Sequence, residues 1–280
     1  MFYSTRKGLV AYVLLCSLLT FATQSSFADQ DTTTDDAASG NRFSAGVGYA
    51  HDAGTYGSRV TSTTSTTSLT LDYSTDNYQF EASLPYTKIS GPAGNLAART
   101  RHRTTLIRPS VTTQGIGDST LSVTRDLWDN DHLGFSWDLG ASAKLATGDV
   151  HRGLGSGAND YSVSTDVSES IKRLTLQGTV GYTWYGSKGP TLVNGYLENL
   201  RFKDGTDEQL DGSLNLFGRS KVGLNYSTQQ PTEGKIAQKE ATAYLSLGLG
   251  KQFDLYLYAL KGYTRASPDR GYGLTLSDNF

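Results

Sequence analysis

The chain has 280 residues, a formal net charge of −2, 31 glycines, 17 tyrosines and a single methionine. A net charge this close to zero excludes a strongly basic nucleic-acid-binding protein, so we expect no nucleic acid partner. The abundance of glycine and tyrosine, with few long runs of helix-forming residues, favours an all-β protein.

Residues Met1–Ala28 have the pattern of a secretory signal peptide. Arg6 and Lys7 supply its positive charge, and the apolar run Gly8–Phe21 is shorter than the roughly 20 residues that a spanning helix needs. The only cysteine, Cys16, lies in this segment. We therefore expect a secreted chain that has neither a disulfide nor a thiolate metal site.

The acidic segment Asp29–Gly40 is predicted to be a disordered lead-in. From residue 41 to 280, apolar and polar side chains alternate with a period of two, which is typical of strands with one apolar face, and no domain boundary interrupts the pattern. The alternation is weakest at Leu210–Phe217. We predict about twelve strands, centred on Phe43–Tyr49, Leu69–Tyr73, Tyr78–Tyr86, Leu121–Leu127, Leu133–Leu145, Tyr161–Val167, Leu174–Trp184, Leu210–Phe217, Val222–Tyr226, Ala241–Leu249, Phe253–Ala259 and Gly271–Phe280.

The segment Leu133–Leu145 shows this alternation most clearly, because every odd position is apolar and the even positions carry Gly, Ser, Asp or Lys. A strand of about a dozen residues is long for a soluble protein and is long enough to cross a bilayer. Strands can cross hydrocarbon only as a closed ring without edges. We therefore predict an all-β fold, a transmembrane up-and-down antiparallel β-barrel. The alternative is a secreted β-sandwich, whose strands are usually about 5–6 residues long.

The predicted connections alternate between short polar turns and long loops. This is the layout of outer-membrane barrels, which have short periplasmic turns and long external loops. Within the third strand, Pro85 cannot donate a hydrogen bond and predicts a bulge or a strand that leaves the sheet. The long connections lie near His51–Arg59, Lys88–Ile116, Thr147–Asn159, Ser187–Gln209, Gln229–Gln238 and Thr264–Arg270.

Charged residues on the polar face of the strands are expected to face the lumen. One interpretation is a hydrated path whose charge disfavours anions. The other is a plugged lumen in which Lys144 pairs with carboxylates and water fills the rest. The predicted lumen-facing residues are Asp72, Glu81, Asp118, Asp126, Asp138, Lys144 and Asp166.

The loop Lys88–Ile116 is strongly basic. It is predicted to touch lipopolysaccharide phosphates or to gather anionic solutes, and ordinary solvation of a charged loop is the alternative. The basic residues are Lys88, Arg99, Arg101, Arg103 and Arg108.

The C-terminal segment ends on an aromatic residue in phase with three other outward-facing side chains, although Asp278 interrupts the apolar row. This pattern is similar to the signal that the barrel assembly machinery reads, so we expect that machinery as a partner. The residues of the predicted signal are Tyr272, Leu274, Leu276 and Phe280.

Three glycine- and aspartate-rich motifs follow one another along the chain. Gly115–Asp118 reads GIGD, Lys144–Asp149 reads KLATGD and Gly153–Gly157 reads GLGSG. Together they resemble the outer-membrane transporters of the phenol meta-degradation pathway family, although Ala146 stands where proline is usual. The closing segment Ser267–Gly273 is also similar. The resemblance implies a barrel and a transport role for small, aromatic or hydrophobic molecules.

We therefore predict a passive uptake channel in the bacterial outer membrane, in contact with lipid and lipopolysaccharide, and we expect no enzyme activity, cofactor or metal. The alternatives are a membrane-embedded hydrolase and a non-transporting structural or adhesive barrel, because one fold can carry many functions. No local Ser/His/Asp arrangement or metal-ligand spacing is visible. The histidines that a hydrolase would need are restricted to His51, His102, His132 and His151.

Overall fold

The computed structural model describes residues 41–280 apart from 57, 59, 93–109, 131–132 and 232–235. The predicted signal peptide and acidic lead-in lie outside the described residues. Among the described residues, no helix is both long and apolar enough to cross a membrane.

The alternating segments form strands, with one short 3-10 helix at Val150–Arg152. Most strands have 9–15 residues, which suits a tilted crossing of a bilayer. The strands are β1 Arg42–Gly54, β2 Ser62–Ser74, β3 Tyr78–Pro92, β4 Ser110–Ile116, β5 Ser119–Asn130, β6 Phe135–Leu145, β7 Asp160–Ile171, β8 Leu174–Trp184, β9 Gly189–Val193, β10 Tyr196–Leu200, β11 Gly205–Asn215, β12 Lys221–Gln229, β13 Gln238–Leu249, β14 Phe253–Gly262 and β15 Arg270–Asn279.

The sheet closes into a barrel because β1 pairs with β15 on one side and with β2 on the other. Neighbouring strands are antiparallel throughout the closed sheet. The segments β4 and β5 both pair with β3 and together form one barrel strand, and β9 and β10 form a separate hairpin. The result is a closed barrel of 12 strands, which confirms the predicted fold class.

Pro85 explains why the fourth barrel strand is divided. It lies inside β3, which continues to Pro92. The partner strand is interrupted opposite it, at Gly117 and Asp118, and the Gly117 N–H donates to the Pro85 carbonyl at 2.9 Å. The irregularity predicted from this proline therefore falls in the neighbouring strand, because a proline provides no N–H for a regular ladder.

The apolar face of every barrel strand points outward. Val47 is 56% exposed and Leu224 is 66% exposed, and they alternate with half-buried or buried polar residues. A continuous apolar exterior of this size is unfavourable in water and favourable against acyl chains. The barrel is thus integral to the outer membrane, and the alternative of a secreted sandwich is wrong.

Several predicted boundaries differ from the structure, as at β1, which runs to Gly54 and into the connection expected near His51–Arg59. Two others show the physical reason. The strand expected at Leu210–Phe217 is β11, Gly205–Asn215, which begins five residues earlier. The connection expected at Lys88–Ile116 is shorter, because β3 runs to Pro92 and β4 begins at Ser110. In both places the strand extends beyond the bilayer-facing apolar residues into polar sequence, where the two-residue alternation of apolar side chains no longer marks it.

Candidate functional site

The inner wall of the barrel is predominantly acidic. Its residues alternate with the outward-facing apolar ones, and their phase follows from the strand register. Among the described strand residues, the inward-phase cations are Arg42, Lys144 and Lys221. The inward-phase carboxylates are Asp52, Asp72, Glu81, Asp126, Asp129, Asp138, Asp160, Asp166, Asp207, Asp211, Glu240 and Asp254.

Three of these carboxylates, which we call the carboxylate row, are direct neighbours across β5, β6 and β7. Asp138 is the register partner of Asp126 on one side and of Asp166 on the other. Directly opposed residues in a sheet have Cβ atoms about 4.5–5.5 Å apart, and like charges at that distance destabilise the sheet. The Thr179 hydroxyl donates to Asp166. Such a row concentrates negative potential on one side of the lumen.

Asp72 and Glu81 form a second pair of opposed carboxylates, on β2 and β3. Ser44 Oγ donates to Asp72 Oδ2 at 3.1 Å, and Glu81 is 6% exposed. Both residues were expected to face the lumen, and the structure places them in the inward phase.

Asp118 and Lys144 meet at the extracellular end of the wall, in a group that we call the Lys144 cluster. Lys144 Nζ lies 2.6 Å from Asp160 Oδ2 and 3.2 Å from Asp118 Oδ2, and it donates to Ser156 Oγ at 2.6 Å. Asp118 also accepts from the backbone N–H groups of Gly148 and Ser156, at 3.0 and 2.9 Å. The cluster thus holds the β6–β7 loop, residues 146–159, against the break between β4 and β5.

The loop approaches the Asp118 carboxylate so closely that one position requires glycine. A Cβ atom on Gly155 would collide with Asp118 Oδ1. One group of contacts therefore joins the three motifs. It contains Asp118 of GIGD, Lys144 of KLATGD and Ser156 of GLGSG. The three motifs that carried the family resemblance are brought together by it, although they are separate in sequence.

The same loop places Leu154 in an apolar group inside the extracellular mouth, which we call the Leu154 cluster. Leu154 is 2% exposed and packs with Ile89, an inward residue of β3. The other members come from the connections that follow β1, β12 and β14, namely Tyr56, Ile236 and Ala266. Because residues from these separate connections share one apolar group with the inner wall, the β6–β7 loop folds into the mouth of the barrel and narrows it.

The hairpin β9–β10 packs on the other side of the β6–β7 loop. The Asn194 N–H donates to the His151 carbonyl at 2.7 Å, and His151 Nδ1 lies 3.0 Å from the Leu192 carbonyl oxygen. A buried apolar group joins the hairpin to the loop, formed by Val150, Tyr185, Val193, Leu200 and Phe202. His151 therefore contacts backbone. His51 Nδ1 is 2.9 Å from Ser65 Oγ, and His102 and His132 lie outside the described residues.

The predicted basic loop is described only at its edges. Lys88 lies in β3 and is exposed on the outward face, not in a loop as predicted, because β3 continues past it. Arg99, Arg101, Arg103 and Arg108 lie outside the described residues. In the described part of the chain, no group of three or more His, Cys, Asp or Glu side chains is arranged to hold a metal ion.

The C-terminal segment forms the closing seam of the barrel. Tyr272, Leu274 and Leu276 lie on the outward face of β15, exposed by 56%, 43% and 45%. The Phe280 N–H donates to the Phe43 carbonyl at 2.8 Å, and the two rings stack with centroids 5.8 Å apart. The residues of the predicted assembly signal therefore share one exposed surface at the seam.

Several inward residues were missed by sequence reasoning. Asp254 stands between two outward residues, Phe253 and Leu255, and Asp211 stands next to Leu210, so the alternation alone could have found both. The same holds for inward tyrosines on β13 and β14, which are out of phase with the leucines beside them. The missed residues are Asp52, Asp129, Asp160, Asp207, Asp211, Glu240, Asp254, Tyr244, Tyr256 and Tyr258.

The barrel is similar to solved outer-membrane structures. The COG4313 outer membrane channel from Pseudomonas putida F1 has a TM-score of 0.70 and 14% sequence identity, and the match covers 89% of this chain and 100% of that one. The transport unit of the autotransporter AIDA-I from Escherichia coli has a TM-score of 0.53 and 9% identity, covering 92% and 96%. The KdgM porin in complex with disordered oligogalacturonate has a TM-score of 0.50 and 9% identity, covering 84% and 99%. At such identities the likeness concerns the fold.

No curated protein sequence matches the chain. One protein family does match the chain, over residues 28–280. This range includes all of the described strands and the three glycine- and aspartate-rich motifs. With a closed 12-strand barrel, an apolar exterior and these motifs joined in one contact, the chain belongs to the family described as "Putative MetA-pathway of phenol degradation".

Proposed function

We propose that this protein is a passive outer-membrane channel for small molecules that prefers cations over anions. The observation that carries the proposal is the carboxylate row Asp126, Asp138 and Asp166 on the inner wall of a closed barrel. A narrow path lined by one sign of charge raises the local concentration of counter-ions. Lys144 does little to offset the row, because it is paired with Asp118 and Asp160.

The mouth of the barrel supports a small cargo. The Leu154 cluster and the Lys144 cluster hold the β6–β7 loop inside the extracellular end. This arrangement combines the two interpretations that the sequence left open, since Lys144 pairs with carboxylates while the rest of the acidic wall lines the lumen. We therefore expect a channel of low conductance with a cation preference.

Reversal potentials of the purified barrel in planar bilayers, measured across a gradient of KCl, test the proposal. We expect a cation-selective reversal potential that moves toward zero in the variant Asp138→Asn/Asp166→Asn. The matched control is Glu169→Gln/Glu208→Gln, which removes two charges on the outward face and should leave the selectivity unchanged. A protein that does not conduct, or one that prefers anions, contradicts the proposal.

The family description supports an aromatic or hydrophobic cargo, because it names phenol degradation. A strain that lacks the gene should take up such compounds more slowly at low external concentration. Growth of the deletion strain across aromatic and aliphatic carbon sources measures this, and normal growth on every source would contradict uptake as the role.

The proposed partners follow from the surfaces. The exposed apolar face contacts lipid, the basic segment around residues 99–108 is proposed to contact lipopolysaccharide phosphates, and the C-terminal residues are proposed to be read by the barrel assembly machinery. We expect Phe280→Ala to lower the amount of barrel assembled in cells and to leave refolding in detergent nearly unchanged. Equal loss in both assays would assign Phe280 a purely structural role at the seam.

The alternatives lack a supporting observation of this kind. The described contacts of His151 are with backbone groups of the β9–β10 hairpin, and they include no carboxylate that contacts the imidazole ring. Replacing His102 and His151 by alanine should therefore change neither conductance nor any hydrolysis of ester or lipid substrates. A hydrolytic activity that these substitutions abolish would replace the channel by an enzyme.

A further inference from the structure

One part of the inner wall is aromatic, in contrast to its acidic remainder. Tyr244 on β13 and Tyr256 and Tyr258 on β14 lie in the inward phase, and we call them the tyrosine patch. The ring centroids of Tyr244 and Tyr256 are 5.4 Å apart, and those of Tyr256 and Tyr258 are 6.1 Å apart. Ala50 and Leu260 pack with them in one apolar group.

Glycines on the neighbouring strands make room for these rings. Gly223 faces Tyr244 in register and Gly273 faces Tyr258. A Cβ atom on either glycine would collide with the tyrosine ring. Tyr244 and Tyr258 therefore lie against the wall and are buried, whereas Tyr256 between them is only partly buried. The patch is an aromatic surface in which one ring, that of Tyr256, is still partly exposed.

A buried carboxylate borders the patch. The Tyr244 hydroxyl donates to Asp211 Oδ1 at 2.9 Å, and Asp211 is only 8% exposed. Its other oxygen, Oδ2, has no hydrogen-bond partner of good geometry among the described residues, although Asn225, the register partner of Asp211, and Lys221 lie close to the carboxylate. Thr275, which faces Tyr256 in register, has a buried hydroxyl that is also without a hydrogen-bond partner in the described chain. Buried polar atoms normally have partners, so a donor from water or from a ligand completes these two atoms.

The carboxylate row stands on the opposite side of the lumen. Three strands, β8, β11 and β12, separate the row on β7 from the patch on β13 in one direction around the barrel. In the other direction four strands, β15, β1, β2 and β3, separate the patch on β14 from the row on β5. A solute on the tyrosine patch is therefore flanked by negative charge across the lumen as well as by Asp211, and Lys221 on β12 offsets only part of the charge of Asp211. This field favours a cation and disfavours a carboxylate or phenolate.

We infer that the tyrosine patch and Asp211 form a binding site for small organic cations that carry a planar apolar group. Aromatic rings attract cations through their faces and pack against planar apolar groups. A carboxylate accepts strong hydrogen bonds from an ammonium group. The inference deepens the proposed channel function, because it names the class of solute that the lumen retains.

Three probe molecules separate the two features that the site recognises. Phenethylammonium has both a ring and a positive charge, butylammonium lacks the ring, and 2-phenylethanol lacks the charge. Titration calorimetry with the folded barrel in detergent should show that phenethylammonium binds at least about tenfold more tightly than either of the other two. If the unmodified protein binds all three probes with equal affinity, the inference is overturned.

Variants then locate the site. Asp211→Asn keeps the shape of the side chain and removes its charge, and we expect it to weaken phenethylammonium binding about tenfold. Tyr256→Ala removes the accessible ring and should reduce the preference for phenethylammonium over butylammonium. The matched control is Glu208→Gln, which removes a carboxylate on the outward face of β11 and should leave the affinity within about twofold of the unmodified value. Unchanged binding in both Asp211→Asn and Tyr256→Ala overturns the site.

Bilayer recordings distinguish failure of the site from failure of the channel. If the barrel conducts, phenethylammonium should interrupt the current, and the interruptions should shorten in Asp211→Asn. If the barrel binds phenethylammonium and does not conduct, the proposed channel function fails and the site stands. If it conducts with a cation preference and phenethylammonium neither binds nor interrupts the current, the channel stands and the site fails.

Discussion

Replacing Lys144 by methionine tests how the mouth of the barrel is held. Lys144 Nζ contacts Asp160 and Asp118 at 2.6 and 3.2 Å, and the exposed fractions of the three side chains are 10%, 6% and 2%. Lys144→Met keeps an unbranched side chain and removes the charge. Two nearly buried carboxylates then share one site without a counter-ion.

Removing one partner of a buried ion pair typically costs about 3–5 kcal/mol, because the remaining charge stays desolvated. We expect a loss of this order in the free energy of unfolding of Lys144→Met. The double variant Lys144→Met/Asp160→Asn should recover at least about 1 kcal/mol of it. Its remaining carboxylate, Asp118, still accepts from the Gly148 and Ser156 N–H groups.

Two assays check this prediction. Urea unfolding in phosphatidylcholine vesicles, followed by tryptophan fluorescence, gives the free energy of unfolding. Tryptic cleavage after Arg152, which is exposed in the β6–β7 loop, reports on the loop itself and should be faster in Lys144→Met. Lys221→Met is the control, because it removes the other lysine of the inner wall and should leave cleavage at Arg152 unchanged. A loss below about 0.5 kcal/mol with unaltered cleavage would refute the reasoning.

Two further substitutions test the loop contact and the direction of the wall. Gly155→Ala brings a methyl group onto the Asp118 carboxylate and should lower the free energy of unfolding in urea by about 1–3 kcal/mol. The control is Gly178→Ala, which should be nearly neutral because a Cβ atom there has no neighbour closer than 3.8 Å. Equal effects of the two substitutions would contradict the close contact. Leu224→Arg places a charge on the lipid face and should cost about 2–4 kcal/mol in vesicles if it lies near the midplane. The adjacent inward variant Asn225→Arg should cost less and instead reduce the cation preference, and the reverse order of stabilities would show that the faces are inverted.

The sequence alone determined the barrel, its closed form and most of its strands. The segment Leu133–Leu145 shows why, because a two-residue alternation is a local property that depends on no distant contact. Hydrocarbon outside the barrel then decides which face is apolar, and the need to satisfy every backbone group requires closure. Some predicted boundaries were wrong. The strand β11 begins at Gly205 and not at Leu210, because a strand that leaves the bilayer loses the apolar half of its pattern.

The Lys144 cluster, the Leu154 cluster and the tyrosine patch were decided only by the tertiary structure. Asp118 and Ser156 are 38 residues apart, and their contact depends on a loop that folds back into the mouth. No local pattern encodes such a fold, because the loop is held by ion pairs and apolar contacts from several connections at once. The sequence therefore determines the wall of this protein, and the packing of its loops and inward aromatic residues determines what the wall encloses.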